Sequence, residues 1–186
     1  MKKTILTAVA LLLTWGNAGL KAQETVTNAF DDLKRSGTVN EQDSEMRQAA
    51  SNAAMQELLA RKPAAGYFCF AEDRMHDIRL DQTIPARWTE RAYETWQQLE
   101  GDCRPGEFYT WQIGVFTPFE ELKDVSVSFS DLTNGDGNKI KSSSFQCFNQ
   151  GGTDTDGQTF RKTVSVPKGH VQALWIGMDI PASAEG

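Results

Sequence analysis

The sequence predicts a mainly β protein, an antiparallel β-sandwich preceded by an N-terminal α-helix. After residue 106, apolar and polar residues alternate in several short stretches, which is the pattern of half-buried strands. Segments rich in glycine, asparagine and aspartate separate these stretches and suit tight turns. Over residues 43–62, by contrast, the apolar residues recur at helical spacing. Short alternating strands joined by such turns favour a sandwich.

The first 22 residues are predicted to be a signal peptide. Lys2 and Lys3 precede an apolar run over residues 5–15, and small residues follow at Ala18 and Ala22. The run is too short and wrongly flanked to span a membrane. We expect cleavage after Ala22, with Ala18 as the alternative. The protein is therefore expected to be exported, either to the periplasm or outside the cell.

The expected mature chain is strongly acidic. Removing residues 1–22 removes three of the 19 basic residues and no acid, which leaves 16 basic and 25 acidic residues and a formal charge of −9. This balance argues against nucleic acid as a partner, because phosphates require a basic face. No later segment is apolar enough to hold the chain in a membrane.

Residues 23–62 are predicted to be a polar lead-in followed by a helix. The helix is expected over residues 43–62, with Asp43 or Ser44 as its N-cap and Pro63 marking its end. Its apolar stripe is weak, which indicates that it packs on another element. The stripe comprises Met46, Ala49, Ala50, Ala53, Met55, Leu58 and Leu59.

Residues 63–186 are predicted to be the β-sandwich domain. Residues 67–71 (YFCFA) suit a short buried strand, and residues 87–99 have helical spacing, although their two tryptophans also suit strands. Alternating strands are expected within residues 109–115, 124–132, 160–166 and 171–180. These are too few for a complete sandwich. We expect that N-terminal elements complete the sheet or that the chain is part of a longer protein.

The sequence offers no metal or cofactor motif. NGDGN (134–138) and DTDG (154–157) resemble fragments of calcium loops, but the sixth and twelfth positions lack the required glycine and acid. Both segments are better interpreted as hairpin turns. The three cysteines permit at most one disulfide, no paired His/Cys spacing supports zinc, and His76 and His170 are expected on the surface or in loops.

No catalytic residue is predicted. Glycosidases need two suitably placed carboxylates. Glu72 with Asp73, and Glu120 with Glu121, are adjacent acids that would point to opposite faces of a strand. They are therefore poor acid–base pairs unless they lie in loops.

Four tryptophans follow the predicted cleavage site, and exported β-sandwiches often bind sugars through exposed aromatic rings. Trp111 is in phase with Ile113 and Val115, which places it in the core, whereas the pattern leaves the exposure of Trp175 open. A carbohydrate-binding protein that uses Trp88, Trp96 or Trp175 is therefore one hypothesis.

Four stretches together suggest a family. They are RPGEFYTWQIGVFTP (104–118), ELKDVSVSFSDL (121–132), FQCFNQGGTDTDGQTF (145–160) and VPKGHVQALWIGMDIP (166–181). In order and spacing they resemble the N-terminal β-sandwich domain of exported glycoside hydrolases similar to family 123, the β-N-acetylgalactosaminidases of Bacteroidetes-type bacteria. The resemblance covers residues 63–186. In the family pattern an aromatic residue is expected near Thr155, where this sequence has DTDG.

The resemblance implies a non-catalytic accessory domain, or a truncated product, of a glycoside hydrolase acting on N-acetylhexosamine-containing glycans. In such proteins the active site lies in a C-terminal barrel, which would be the partner of this domain. The alternative is a stand-alone secreted carbohydrate-binding protein. Six residues are the candidates for glycan or interdomain contacts: Trp88, Trp96, Asn149, Asp154, Asp156 and Trp175.

Overall fold

The structure, a computed structural model, describes residues 45–79, 82–134 and 137–184, together with the backbone of residues 4–5 and 11–12. The predicted lead-in, both predicted N-caps and the remainder of the predicted signal peptide lie outside the described residues. The strands are β1 Thr4–Ile5, β2 Leu11–Leu12, β3 Phe68–Glu72, β4 Leu99–Glu100, β5 Phe108–Phe116, β6 Leu122–Val127, β7 Leu132–Thr133, β8 Lys139–Ile140, β9 Phe145–Cys147, β10 Gly151–Thr153, β11 Thr159–Arg161, β12 Val164–Val166 and β13 Val171–Asp179. The α-helices are α1 Asn52–Ala60 and α2 Ala86–Glu90, and two 3₁₀ turns span Tyr93–Thr95 and Ser142–Ser144.

A four-stranded antiparallel sheet forms the centre of the fold, in the order β3-β5-β13-β9. Strands β6 and β12 pair beside it, with β1 parallel to β6, while β2 pairs with β4. The hairpins β7–β8 and β10–β11 form at the predicted turn segments. The mainly β, antiparallel class is confirmed. The layer opposite the central sheet contains only short paired strands, so a complete sandwich stays a prediction.

The two faces of the central sheet bury different clusters. On one face, Trp111, Ile113 and Ile176 pack with Leu122 and Val166 from β6 and β12. Trp111 is 3 % exposed, as its phase with Ile113 predicted. On the other face, side chains from residues 46–58 and 84–96, which we call the helical segment, pack on β3 and part of β5. Strand β5 is therefore buried on both sides, which a simple alternating pattern does not anticipate.

The predicted helix over residues 43–62 is wrong in its extent. Residues 45–47 are helical, but Ala49 then forms a β-bridge with Pro85, and the N–H of Ala50 donates to the carbonyl of Ile84 over 2.9 Å. Helix α1 begins after this bridge, where the side chain of Ser51 accepts from the N–H of Ala54. A tertiary contact thus overrides local helix propensity.

Two other predicted elements are also divided. Residues 87–99 form α2 and a 3₁₀ turn, separated by extended backbone at Arg91 and Ala92. The guanidinium of Arg91 donates to the carbonyl of Ala71 over 3.1 Å and holds this extended point against β3. The expected strand over residues 160–166 divides into β11 and β12, which belong to different sheets.

Candidate functional site

Exposed aromatic side chains lie on the part of the central sheet that the helical segment leaves uncovered. Phe108 and Phe148 are 45 % and 40 % exposed, and their ring centroids are 6.0 Å apart. Trp175 is half-buried on the same face, because it lies two residues before Gly177, over which both phenylalanines pack. We call Phe108, Phe148, Trp175 and Gly177 the aromatic face.

Gly177 allows the two phenylalanine rings to lie against the sheet. A Cβ atom at this position would be 2.4 Å from Cζ of Phe108 and 2.8 Å from Cε2 of Phe148. Both rings therefore occupy space that any other residue would fill. The sequence builds a shallow platform of aromatic carbon here instead of a closed core.

Hydrogen bonds hold the strand edge beneath this face. The N–H of Trp175 donates to Oδ1 of Asn149 over 2.6 Å, and the N–H of Phe148 donates to the carbonyl of Trp175 over 2.9 Å. These bonds continue the β9–β13 pairing beyond Cys147. The rings of Phe148 and Trp175 are thus fixed to one rigid element.

On the covered part of the same sheet face, ionisable groups form a network around Glu72. This carboxylate is 2 % exposed and accepts from Nε1 of Trp88 over 3.0 Å and from Nε of Arg87 over 3.3 Å. Nη2 of Arg91 lies 3.9 Å from the same carboxylate oxygen. Opposite charges and an indole donor therefore compensate the burial of the carboxylate. We call Glu72 with Glu45, Asp73, His76, Arg87 and Arg91 the Glu72 network.

His76 joins the network through a loop after β3. Its Nδ1 lies 2.8 and 2.9 Å from the two carboxylate oxygens of Asp73, and its Nε2 lies 3.5 Å from Glu45. The hydrogen bond to Asp73 raises the pKa of His76, against the opposing effects of burial and Arg87. Burial raises the pKa of Asp73, but hydrogen bonds from His76 and the N–H of Met75 outweigh it and bring the pKa below its ordinary value. The buried side chain of Gln112 donates to the carbonyls of Asp73 and His76 and so fixes this loop.

Three potential metal ligands meet in this network. Atoms of Glu72, Asp73 and His76 lie within 4.8 Å of one another. However, the guanidinium groups of Arg87 and Arg91 already neutralise Glu72, and Asp73 binds the imidazole. Both carboxylates already have partners within the protein, although Nε of Arg91 is buried without a hydrogen-bond partner, so we interpret the network as a structural ion-pair cluster.

The structure buries two of the predicted contact residues. Trp88 is fully buried and stacks on Phe70 with centroids 4.4 Å apart, and Trp96 is 5 % exposed. Neither ring has a free face, so the prediction that they offer exposed aromatic surface is wrong. The physical reason is that α2 and the following turn pack onto β3, which places both indoles in the core.

The other four candidates lie toward the uncovered part of the fold. Trp175 and Asn149 support the aromatic face, as described above. Asp154 accepts from the N–H groups of Asp156 and Gln158 in the β10–β11 turn, and Asp156 is exposed there. The two aspartates therefore shape a hairpin turn, in agreement with the interpretation of DTDG.

Sequence reasoning did not find Phe108 and Phe148. Phe108 is the first residue of β5 and Phe148 follows the last residue of β9, and although both lie in stretches that carry the family resemblance, no alternating pattern marked them as exposed. The available signal was that Phe108 is in phase with Thr110, Gln112 and Gly114. These polar or small residues alternate with the apolar residues of the same strand. That phase identifies the second face of β5, but not how far the helical segment extends across it.

Comparisons with known proteins give no family assignment. No protein-family model and no curated protein matches the sequence. A solved structure that resembles part of the chain is a family 123 glycoside hydrolase from Clostridium perfringens, whose structural analysis concerned glycolipid glycan hydrolysis. The two chains are 19% identical with a TM-score of 0.35, over 45% of this chain and 17% of that one. This is the family that the sequence resembles, but a likeness at this level carries no argument about fold or function. In the described part of the chain, none of the helices has the length and apolarity to cross a bilayer.

Proposed function

We propose that this chain is a non-catalytic, exported accessory domain of a glycoside hydrolase that acts on N-acetylhexosamine-containing glycans, and that it binds glycan on the aromatic face. The observation that carries the proposal is the pair of exposed phenylalanines held over Gly177 beside Trp175. Sugar rings have apolar C–H faces that pack on aromatic rings, while their hydroxyl groups require neighbouring polar groups. Asn149 and the exposed Gln146 lie on the adjacent strand end.

Binding fits this geometry better than hydrolysis does. Most glycosidases use two carboxylates on either side of the scissile bond. The carboxylate of Glu72 is buried beneath α2, where it accepts from Trp88 and Arg87. It has no access to a ligand on the aromatic face. Under this proposal, hydrolysis belongs to a catalytic barrel that acts together with this domain.

The test is calorimetric titration of the full chain with N-acetylgalactosamine and chitobiose. We expect binding, which the double variant Phe108→Ala/Phe148→Ala abolishes. The matched control is Phe119→Ala, because Phe119 is also exposed, at 37 %, but lies outside the aromatic face. Absence of binding to both sugars, or equal loss in the control, would refute the proposal.

The aromatic face is formed entirely by this chain, and this observation favours the second candidate function, a stand-alone secreted carbohydrate-binding protein. The same titration with the isolated chain separates the two. Full affinity without a barrel favours the stand-alone protein. Weak binding that strengthens when the barrel is present favours the accessory domain.

A further inference from the structure

We propose that the aromatic face continues across β9 onto the β10–β11 hairpin, and that its ligand is an acidic oligosaccharide instead of a single sugar. This inference rests on the proposed function and specifies the ligand of the same site. The inference depends on the side chains that lie between Phe148 and Phe160, a residue of β11 that is 36 % exposed.

Gln146 connects the two regions. It lies opposite Gly177 in the β9–β13 ladder, so it shares the aromatic face. Its Nε2 is 3.5 Å from the point where a Cβ of Gly152 would lie, and Cζ of Phe160 is at the same distance from that point. The side chain of Gln146 therefore extends from the aromatic face to the ring on the hairpin.

The span is longer than one sugar. The ring of Phe108 lies over Gly177 on β13, one interstrand spacing of about 5 Å from Gln146 on β9, before the side chain of Gln146 and the hairpin add their own width. A single pyranose ring cannot cover both Phe108 and Phe160. Two or more linked sugars can.

The hairpin is held rigidly against the rest of the fold. The side chain of Gln150 accepts from the N–H of Val127 over 3.1 Å and donates to the carbonyl of Val125 over 2.7 Å, which fixes the hairpin base to β6. The N–H of Lys162 donates to the carbonyl of Gln150 over 2.9 Å. The amide of Gln146, by contrast, forms no hydrogen bond within the described residues, so it is free to bind sugar hydroxyls.

The charged side chains at the base of the hairpin indicate which kind of sugar binds there. Arg161 lines the cleft between β9 and the hairpin, and Lys162 lies with Nζ 5.2 Å from the ring centroid of Phe160. Both are exposed and form no ion pair within the described residues. The acids Asp154 and Asp156 lie at the opposite end of the hairpin, because Arg161 pairs with Gly151 at its base. An otherwise acidic chain thus presents Lys162 beside the ring of Phe160 and Arg161 in the adjoining cleft, and these cations complement a carboxylate or sulfate group on the glycan.

The experiment compares three tetrasaccharides that all contain N-acetylhexosamine: neutral chitotetraose, carboxylate-bearing hyaluronan and sulfate-bearing chondroitin sulfate. Calorimetric titrations use the unsubstituted chain, Phe160→Ala, Phe160→Tyr, Arg161→Gln and the control Lys168→Gln, whose cation is exposed on another turn. Thermal unfolding of each variant verifies that it is folded. Tighter binding of hyaluronan indicates a uronic acid ligand, and tighter binding of chondroitin sulfate indicates a sulfated one.

We expect Phe160→Ala to weaken acidic tetrasaccharide binding about tenfold without changing N-acetylgalactosamine binding, and Phe160→Tyr to retain it. Arg161→Gln should weaken only the acidic ligands and reduce the salt dependence of their binding, because Lys162 remains, while Lys168→Gln changes neither. The proposal is wrong if Phe160→Ala and Arg161→Gln leave acidic tetrasaccharide affinity unchanged, or if chitotetraose binds as tightly as the acidic ligands. In either case the proposed function still stands, provided that Phe108→Ala/Phe148→Ala abolishes binding.

Discussion

One face of the central sheet has two halves, one covered by a second layer and one left uncovered. The half near β3 is covered by the helical segment, and there Glu72 and Trp88 are buried with their polar atoms paired. The half formed by the start of β5, the end of β13 and β9 is uncovered, and there Phe108 and Phe148 lie exposed over Gly177. Polar groups are thus buried where a second layer can satisfy them, and aromatic rings are exposed where that layer ends. This inversion of the usual distribution is the feature on which the proposed binding surface rests.

The largest effect should come from removing the carboxylate of the covered half. Glu72→Ala leaves the indole N–H of Trp88 and the guanidinium groups of Arg87 and Arg91 without their buried partner. We expect a loss of about 3 kcal/mol in the free energy of unfolding, measured by urea denaturation. Glu57→Ala is the control, because its carboxylate is exposed in an ion pair 3.7 Å from Arg61 and should contribute about 0.5 kcal/mol or less. Equal effects of the two substitutions would contradict the structural role of the network.

A second prediction tests how tightly the covered half is packed. A Cβ at Gly114 would lie 2.3 Å from Cη2 of Trp88, which is fully buried and cannot move outward. Gly114→Ala should therefore destabilise the protein by about 2 kcal/mol through overpacking. Gly152→Ala is a matched control in another strand, because its Cβ would make ordinary contacts at 3.5 Å. A negligible effect of Gly114→Ala on urea denaturation would show that the helical layer packs loosely.

The equivalent substitution in the open half should affect binding more than stability. Gly177→Ala displaces the rings of Phe108 and Phe148, but these rings can move into solvent. We expect a stability loss of about 1 kcal/mol, smaller than that of Gly114→Ala. We also expect a loss of glycan affinity of tenfold or more, because the added methyl group displaces both rings from their positions over the sheet. Unchanged affinity in calorimetric titration would exclude the aromatic face as the binding surface.

The two halves also differ in how far the sequence predicts them. Strand β13 and both hairpin turns were predicted, because alternation and turn chemistry are local signals. The partners of Glu72 could not be predicted from the sequence. Arg87 and Arg91 lie 15 to 19 residues later, and the direction in which their segment packs is a tertiary property. The exposure of Phe108 likewise depends on where the covering segment stops. The local pattern therefore identified the strands but not the border between the two halves of the sheet face.

The smallest predicted effect is the pH dependence of stability, which involves the covered half of the sheet face and not the uncovered half. The pKa of His76 is raised in the folded protein, mainly by its hydrogen bond to Asp73. Its contribution to stability is therefore complete below the ordinary pKa of the imidazole and is lost as the pH rises through the folded-state pKa. Asp73 behaves in the opposite sense. Its pKa is lowered, so its contribution is present above its ordinary pKa of 3.8 and is lost as the pH falls through the lower folded-state value.

Unfolding at pH values across the neutral range should thus show a modest decline in stability toward alkaline pH. The groups that face His76 are Asp73, Glu72, Glu45 and Arg87, and the decline follows from the raised pKa of the histidine. His76→Gln should abolish the decline, whereas His170→Gln should retain it, because His170 lies apart from the network in the turn before β13. Glycan affinity on the aromatic face should be flat over the same range, since no group of that face titrates there. A decline in affinity that follows His76 would instead mean that the covered half controls the open one.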